Sequence, residues 1–220
     1  MPTLKKAENP FYFSTRLILR ELTGRRARNI KELLKGIKTV PGSVIYNHTH
    51  QFLQQHIYLS PEPPNDFAYW VREFLGDDTL GERLNSIDTC DYVTIRDLRN
   101  AIIKTIRDYL ALKKTPFRNA PKGTEFNFIK AYSFVLPTPY VAYDLKEFLE
   151  GIKKISVYSI YFHMFEAKLR LERGTNDFSF WLGTSLNEPE LADKIAGLDP
   201  YTYTLEDLRE KLIKLIEKYL

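Results

Sequence analysis

The chain has 220 residues, 44% apolar and 27% charged, enough for one ordinary domain or two small ones with a real hydrophobic core. That size excludes a mini-protein stapled by disulfides, and 14% aromatic residues with mixed charge exclude a disordered chain. The formal charge of +4 is uneven: residues 1–40 carry 10 Lys/Arg against 3 Asp/Glu, residues 41–110 carry 6 against 10, and residues 111–220 carry 16 against 15. Basic character is confined to the N-terminal segment.

In chain order, the stretch from Phe11-x-Phe13 to Leu22 reads as extended, and Thr23-Gly24 predicts a turn that closes a small hairpin. Asn29 is a candidate N-cap for a helix near 30–38. A further helix is predicted from Val44 through the three histidines His48, His50 and His56, with Ser43 as its cap. The stiff segment Leu59-Ser60-Pro61-Glu62-Pro63-Pro64 then ends at Asn65-Asp66, caps for a helix carrying Phe67, Trp70 and Leu75. A short helix over 79–87 follows. The next begins at a capping box, Thr94-x-x-Asp97, and places Ile95, Leu98, Ile102, Ile106 and Tyr109 at helical spacing.

The rest of the chain repeats this order. A shift of 115 residues gives 13 identities in 43 positions over residues 11–53, laying Phe11 and Phe13 on Phe126 and Phe128, Gly36 on Gly151, and Tyr46 and His48 on Tyr161 and His163. Asp144 then caps a helix near 145–155, Asn176-Asp177 one with Phe178, Trp181 and Leu186, and Thr204-x-x-Asp207 the last, with a short helix over 190–198 before it. The expected architecture is mainly α: two tandem copies of a small helical module, each with a minor strand pair, related by a pseudo-twofold. The first module spans 1–110, the linker 111–125 with Pro116, Pro121 and Gly123, and the second module 126–220.

Chemistry-bearing residues are few. On a regular helix His48 and His50 point to opposite sides and cannot chelate one ion, whereas His48 with His163 and Glu166 could converge if the copies face each other. A ligand site of Tyr46, His48, Gln51, Tyr161, His163 and Glu166 is therefore expected at the seam. The competing expectation is that a histidine on an apolar face packs and bonds the backbone, with His50 and His56 at the surface. A metal site drawn from His48, His50, His56, His163 and Glu166 is the enzymatic alternative. Arg16, Arg20, Arg25, Arg26, Arg28, Lys31, Lys35 and Lys38 form a second candidate site, suited to phosphates or an acidic partner, and nucleic acid through Arg20, Arg25, Arg26 and Arg28 is a third reading. In the second copy the position of Arg16 is Ala131.

No P-loop, dinucleotide-binding, hydrolase-elbow or zincin motif is present, and no cofactor is implied. The opening MPTLKKAENPFYF has no apolar stretch of signal-peptide length, and no run approaches the roughly 20 residues that span a bilayer. A single cysteine, Cys90, offers neither an internal disulfide nor a thiolate cluster. A cytoplasmic binding or regulatory protein is expected, engaging an anionic small ligand or a protein partner, with no membrane.

The peptide Ser60-Pro61-Glu62-Pro63-Pro64-Asn65-Asp66-Phe67-Ala68-Tyr69-Trp70, with Glu21-Leu22-Thr23-Gly24-Arg25, Tyr161-Phe162-His163 and Gly174-Thr175-Asn176-Asp177-Phe178, resembles an uncharacterised bacterial and archaeal family defined only as a domain of unknown function. The resemblance covers residues 11–220. It implies a reusable helical unit and a setting beside proteins of glycosyltransferase type, hence a carbohydrate-metabolism context, and carries no catalytic residue.

Overall fold

The computed structural model describes residues 5–51, 65–112, 118–167, 175–198 and 204–220. Its strands are β1 (Phe11–Ala27) and β2 (Phe126–Ala142), which pair as a single two-stranded antiparallel sheet. Thr138 Oγ1 donates to Phe13 O and Thr23 Oγ1 to Phe128 O, both at 2.7 Å, so the start of each strand lies beside the end of the other. This corrects the expected fold class: the chain is not two tandem pseudo-symmetric modules with a strand pair each. The hairpin at Thr23-Gly24 is absent as well. Gly24 does adopt φ 74°, a conformation that suits glycine, but the strand continues through it. The reason is that Thr23 spends its hydroxyl on β2 and accepts from Arg25 N at 3.2 Å, which replaces a turn by a local kink.

Chain contacts divide the protein into two compact units that do not follow the sequence halves. Unit 1 is Met1–Leu17 with Ser133–Leu220, and unit 2 is Ile18–Tyr132. Each therefore combines one end of the sheet, with a segment from each strand, with one set of helices.

Unit 2 holds α1 (Ile30–Thr39), α2 (Gly42–Tyr46), α3 (Asp66–Glu73), α4 (Asp78–Asn85) and α5 (Ile95–Leu112). Asn29 starts α1 by accepting from Glu32 N at 3.0 Å, and Glu32 in return accepts from Arg28 N at 2.9 Å. Asn65, Asp77 and Thr94 cap α3, α4 and α5 in the same way. The expected Ser43 cap is not made: Pro41 occupies the cap position of α2 without a side-chain bond. The helices bury Leu33, Ile37, Ile45, Phe67, Val71, Leu80, Leu98 and Ile102, and into this core β2 inserts Phe126 and Phe128. Phe126 stacks on Phe67 at 5.2 Å.

Unit 1 holds α6 (Leu145–Lys154), α7 (Val157–Tyr161), α8 (Asp177–Thr184), α9 (Pro189–Ala196) and α10 (Leu205–Ile216), begun by Asp144, Ser156, Asn176, Glu188 and Thr204. Its aromatic core receives Phe11 and Phe13 from β1. Phe11 lies 5.4 Å from Phe148 and 5.5 Å from Trp181, and Phe13 stacks on Phe148 at 5.5 Å. A sequence-local reading pairs the opening strand with the helices that follow it. The rings instead go to the helices of the rear half.

A glycine makes room for a phenyl ring in each unit. A Cβ at Gly36 would meet the Phe128 ring at 2.1 Å, and one at Gly151 would meet the Phe13 ring at 2.3 Å. Gly151→Ala is therefore expected to destabilise by about 1–3 kcal/mol through overpacking, although helix propensity alone favours alanine by about 1 kcal/mol. Chemical denaturation reads the sign, and a stabilised G151A would refute the packing argument. Adding F13L should recover most of the loss.

Candidate functional site

The two sequence-matched histidines sit where an α-helix widens. After α2 the backbone makes a π-helical turn over Asn47–Gln51, and after α7 another over Phe162–Glu166. The segment expected to be one regular helix thus changes pitch at the histidine. In unit 2, His48 Nδ1 lies 2.6 Å from Asp66 Oδ2, and its Nε2 accepts from Ile129 N at 2.9 Å. In unit 1, His163 Nδ1 lies 2.8 Å from Asp177 Oδ2, and its Nε2 accepts from Ser14 N at 2.8 Å.

These contacts fix the proton. A backbone N–H only donates, so Nε2 of each ring presents its lone pair, and the ring hydrogen is on Nδ1, donated to the carboxylate. Both imidazoles are neutral, buried and saturated. The rings are also packed, His48 at 4.7 Å from Phe126 and His163 at 5.0 Å from Phe11. Each links a helix N-terminal aspartate to a strand amide.

The expected seam residues are distributed between the units. Tyr46, His48 and Gln51 belong to unit 2, and Tyr161, His163 and Glu166 to unit 1. Tyr46 stacks on His50 with centroids 5.6 Å apart and planes 8° apart, and His50 Nδ1 lies 3.0 Å from Thr49 Oγ1. His50 is 7% exposed, so its expected surface position is corrected. His56, the side chain of Gln51 and the proline-rich segment up to Pro64 lie outside the described residues. Among the described residues, no group of three or more His, Cys, Asp or Glu side chains is placed to hold a metal ion.

Tyr161 and Glu166 meet a residue assigned by sequence to the basic face. Arg16 turns inward from β1 and pairs with Glu166, its side chain 1% exposed, with its guanidinium carbon 5.4 Å from the Tyr161 ring centroid. Burial pulls the Arg16 guanidinium down to about 10, with the Tyr161 hydroxyl pulling weakly the other way, so it stays charged at neutral pH. In unit 2 the place of Arg16 in the strand is taken by Ala131, also buried.

The remaining basic residues are exposed in unit 2. Arg20, Arg25 and Arg26 lie on β1, Arg28 follows it, and Lys31, Lys35 and Lys38 line one face of α1 at i, i+4, i+7. Arg25 Nη1 donates to Thr39 Oγ1 at 3.0 Å, drawing Arg25 to the C-terminal turn of α1. Arg28 is engaged by Glu32 at 3.3 Å.

Sequence reasoning missed Asp66 and Asp177 as histidine partners and Arg16 as the partner of Glu166. Signals existed: an aspartate follows the Asn cap in both Asn-Asp-Phe-x-x-Trp segments, and where Arg16 matches Ala131, Glu166 matches Gln51.

A mainly helical chain with one two-stranded sheet and two saturated His–Asp pairs is the architecture to which the comparisons attach. The chain belongs to a family of unknown function (DUF5752), matched over residues 8–217. It is similar to a solved structure described as that of OrfY from Thermoproteus tenax, at 31% identity and a TM-score of 0.82, over 97% of this chain and 96% of that one. Among curated proteins nothing matches. No helix among the described residues is long and apolar enough to cross a membrane.

The Arg16–Glu166 pair gives a direct test of the buried charge. Arg16→Met takes from the buried Glu166 carboxylate its guanidinium partner and is expected to cost about 3–5 kcal/mol, whereas the double variant R16M/E166M removes both charges and should recover most of it. Equal destabilisation in both variants, read by urea denaturation, would show that the pair is not the controlling interaction.

Proposed function

We propose that this chain is a cytoplasmic, non-catalytic binding protein whose basic face in unit 2 engages an acidic protein surface. The observation that carries the reading is the Arg25–Thr39 bond, which adds a guanidinium to the Lys35 and Lys38 end of the α1 stripe. Exposed cations spread along one strand and one helix face make an extended basic surface. Such a surface suits a partner protein better than a small anion, which gains most from concave enclosure.

The state of the histidines supports binding over chemistry. A general base or a metal ligand needs a ring nitrogen with nothing better to do, and His48 and His163 spend both on the fold. A regulatory role, in which the chain acts through a partner, follows from this reading. A sugar phosphate or other small anion is the second reading, favoured by the same guanidinium and ammonium groups.

Fluorescence anisotropy with a labelled polyglutamate peptide tests the proposal, with glucose 6-phosphate, inorganic phosphate and duplex RNA as competitors. The peptide should bind, weakening steeply between about 50 and 300 mM salt as screening shortens the reach of surface charge. The triple variant R25E/K35E/K38E should lose about tenfold or more, because like charges then face each other. Binding unaffected by the variant, or displaced as well by glucose 6-phosphate as by free peptide, would overturn the protein-partner reading.

A further inference from the structure

The two histidines reveal which backbone groups of the sheet face outward. In an antiparallel pair the N–H and C=O of one residue point to the same edge, and successive residues alternate between edges. Ser14 N leaves β1 on the side away from β2 to reach His163, so residues an even number of positions along, Ile18, Arg20 and Leu22, also face outward. Ile129 N does the same on β2 with His48, which puts Ser133, Val135 and Pro137 on the outer edge of that strand. The threonine bonds agree with this parity: Thr23 to Phe128 O and Thr138 to Phe13 O lie between the strands and use the alternate residues.

The two outer edges are guarded differently. Thr23 and Thr138 hold the same place in their strands, since each accepts from the amide two residues on, Arg25 N at 3.2 Å and Tyr140 N at 3.3 Å. Pro137 and Pro139 flank Thr138, whereas Leu22 and Gly24 flank Thr23. Proline has no N–H, so the outer edge of β2 in unit 1 lacks a donor at Pro137 and is a poor template for a further strand. In unit 2 the matching amide, that of Leu22, is intact. Among the described residues β1 has no second strand beside it, and no backbone bond from another element meets Ile18, Arg20 or Leu22. Leu19 and Leu22 are 52% and 68% exposed along this stretch.

Charge selects the occupant. Over residues 18–26 the strand carries Arg20, Arg25 and Arg26 against Glu21, and Glu21 already accepts from the Tyr132 hydroxyl at 2.7 Å. Antiparallel pairing with a second copy would therefore set like charges beside each other along the new ladder, which is destabilising. An acidic strand meets the same guanidinium groups with attraction, and its alternate apolar side chains would lie beside Ile18 and Leu22. We infer that the free edge of β1 in unit 2 takes an extended acidic segment of a partner protein as a third strand, paired along residues 18–22 with its most acidic end at Arg25 and Arg26. The acidity of the partner rests on the function proposed above, whereas the pairing geometry rests on the edge itself.

The probe is a fluorescein-labelled peptide, Glu-Glu-Val-Thr-Glu-Thr-Val, which running antiparallel to β1 sets its valines at Leu22 and Ile18 and its central glutamate at Arg20. Anisotropy with the full-length protein should give Kd on the order of 100 µM. Two N-methylated forms that share every side chain separate backbone pairing from charge. Methyl groups on the valines and the central glutamate block the amides that face β1 and should weaken binding about tenfold or more, whereas methyl groups on the threonines face away and should change it by less than about twofold. Leu22→Pro copies the proline of β2 onto β1 and should also cost about tenfold or more. The methylated pair, read on the unaltered protein, decides the matter if L22P fails to fold. Equal binding of the two methylated peptides would overturn strand addition, and a loss in R25E/K35E/K38E would then still uphold the basic face. Discrimination between them with no effect of that triple variant would keep the strand site and overturn the basic face. Unchanged binding in a folded L22P, no saturable binding, or a dimer in sedimentation velocity that L22P dissolves would also overturn the inference, the last by placing a second copy on the edge.

Discussion

The constraint on which the structure depends is the imidazole that joins a helix to a strand amide. A two-stranded sheet is marginal in water by itself, because each strand has a neighbour on one side only. Here the strands are held by the helices as much as by each other. In unit 1 the Ser14 amide is bonded to His163, the Phe11 and Phe13 rings enter the aromatic core, and Gly151 leaves room for the second ring. In unit 2 the Ile129 amide, Phe126, Phe128 and Gly36 play the same parts. The π-helical turn is what brings the histidine to the strand, and the aspartate that opens the next described helix sets its tautomer. Such a ring is an organising element of the core, and its chemistry is consumed in that task.

The buried ion pair makes the two units unequal. A guanidinium and a carboxylate removed from water give up hydration that their mutual attraction repays only with good geometry. The pair therefore contributes more to discrimination than to stability. A strand with alanine at this position, as β2 has with Ala131, would remove the guanidinium that Glu166 pairs with in unit 1. Charge thus distinguishes two strands that are otherwise alike in length and in their leading Phe-x-Phe.

Local features were legible in the sequence because local physics determines them. The caps at Asn29, Asn65, Asp144, Asn176, Thr94 and Thr204 are all made, and helix bounds agree to within a few residues, because a cap and an apolar stripe are decided within one or two turns. The pairing of β1 with β2 was not legible, since it joins residues more than a hundred positions apart and a Thr-Gly step permits a kink as readily as a turn. Arg16 was misplaced for a related reason: composition puts arginine outside, and only a distant carboxylate brings it in. Of the candidate site, the recurrence of Tyr46 and His48 as Tyr161 and His163 was visible in the sequence. Their partners were not, because hydrogen-bond roles depend on which backbone amide arrives from elsewhere in the chain.

The discontinuity of unit 1 has a consequence for biosynthesis. Residues 18–132 contain everything unit 2 needs, so that unit can assemble while the ribosome is still translating. The β1 segment of unit 1 cannot settle at that stage, because the helices that receive Phe11 and Phe13 follow unit 2 in the chain. Until those helices are synthesised, Phe11 and Phe13 form an unclaimed hydrophobic edge, and unit 1 closes over a segment made well before its partners.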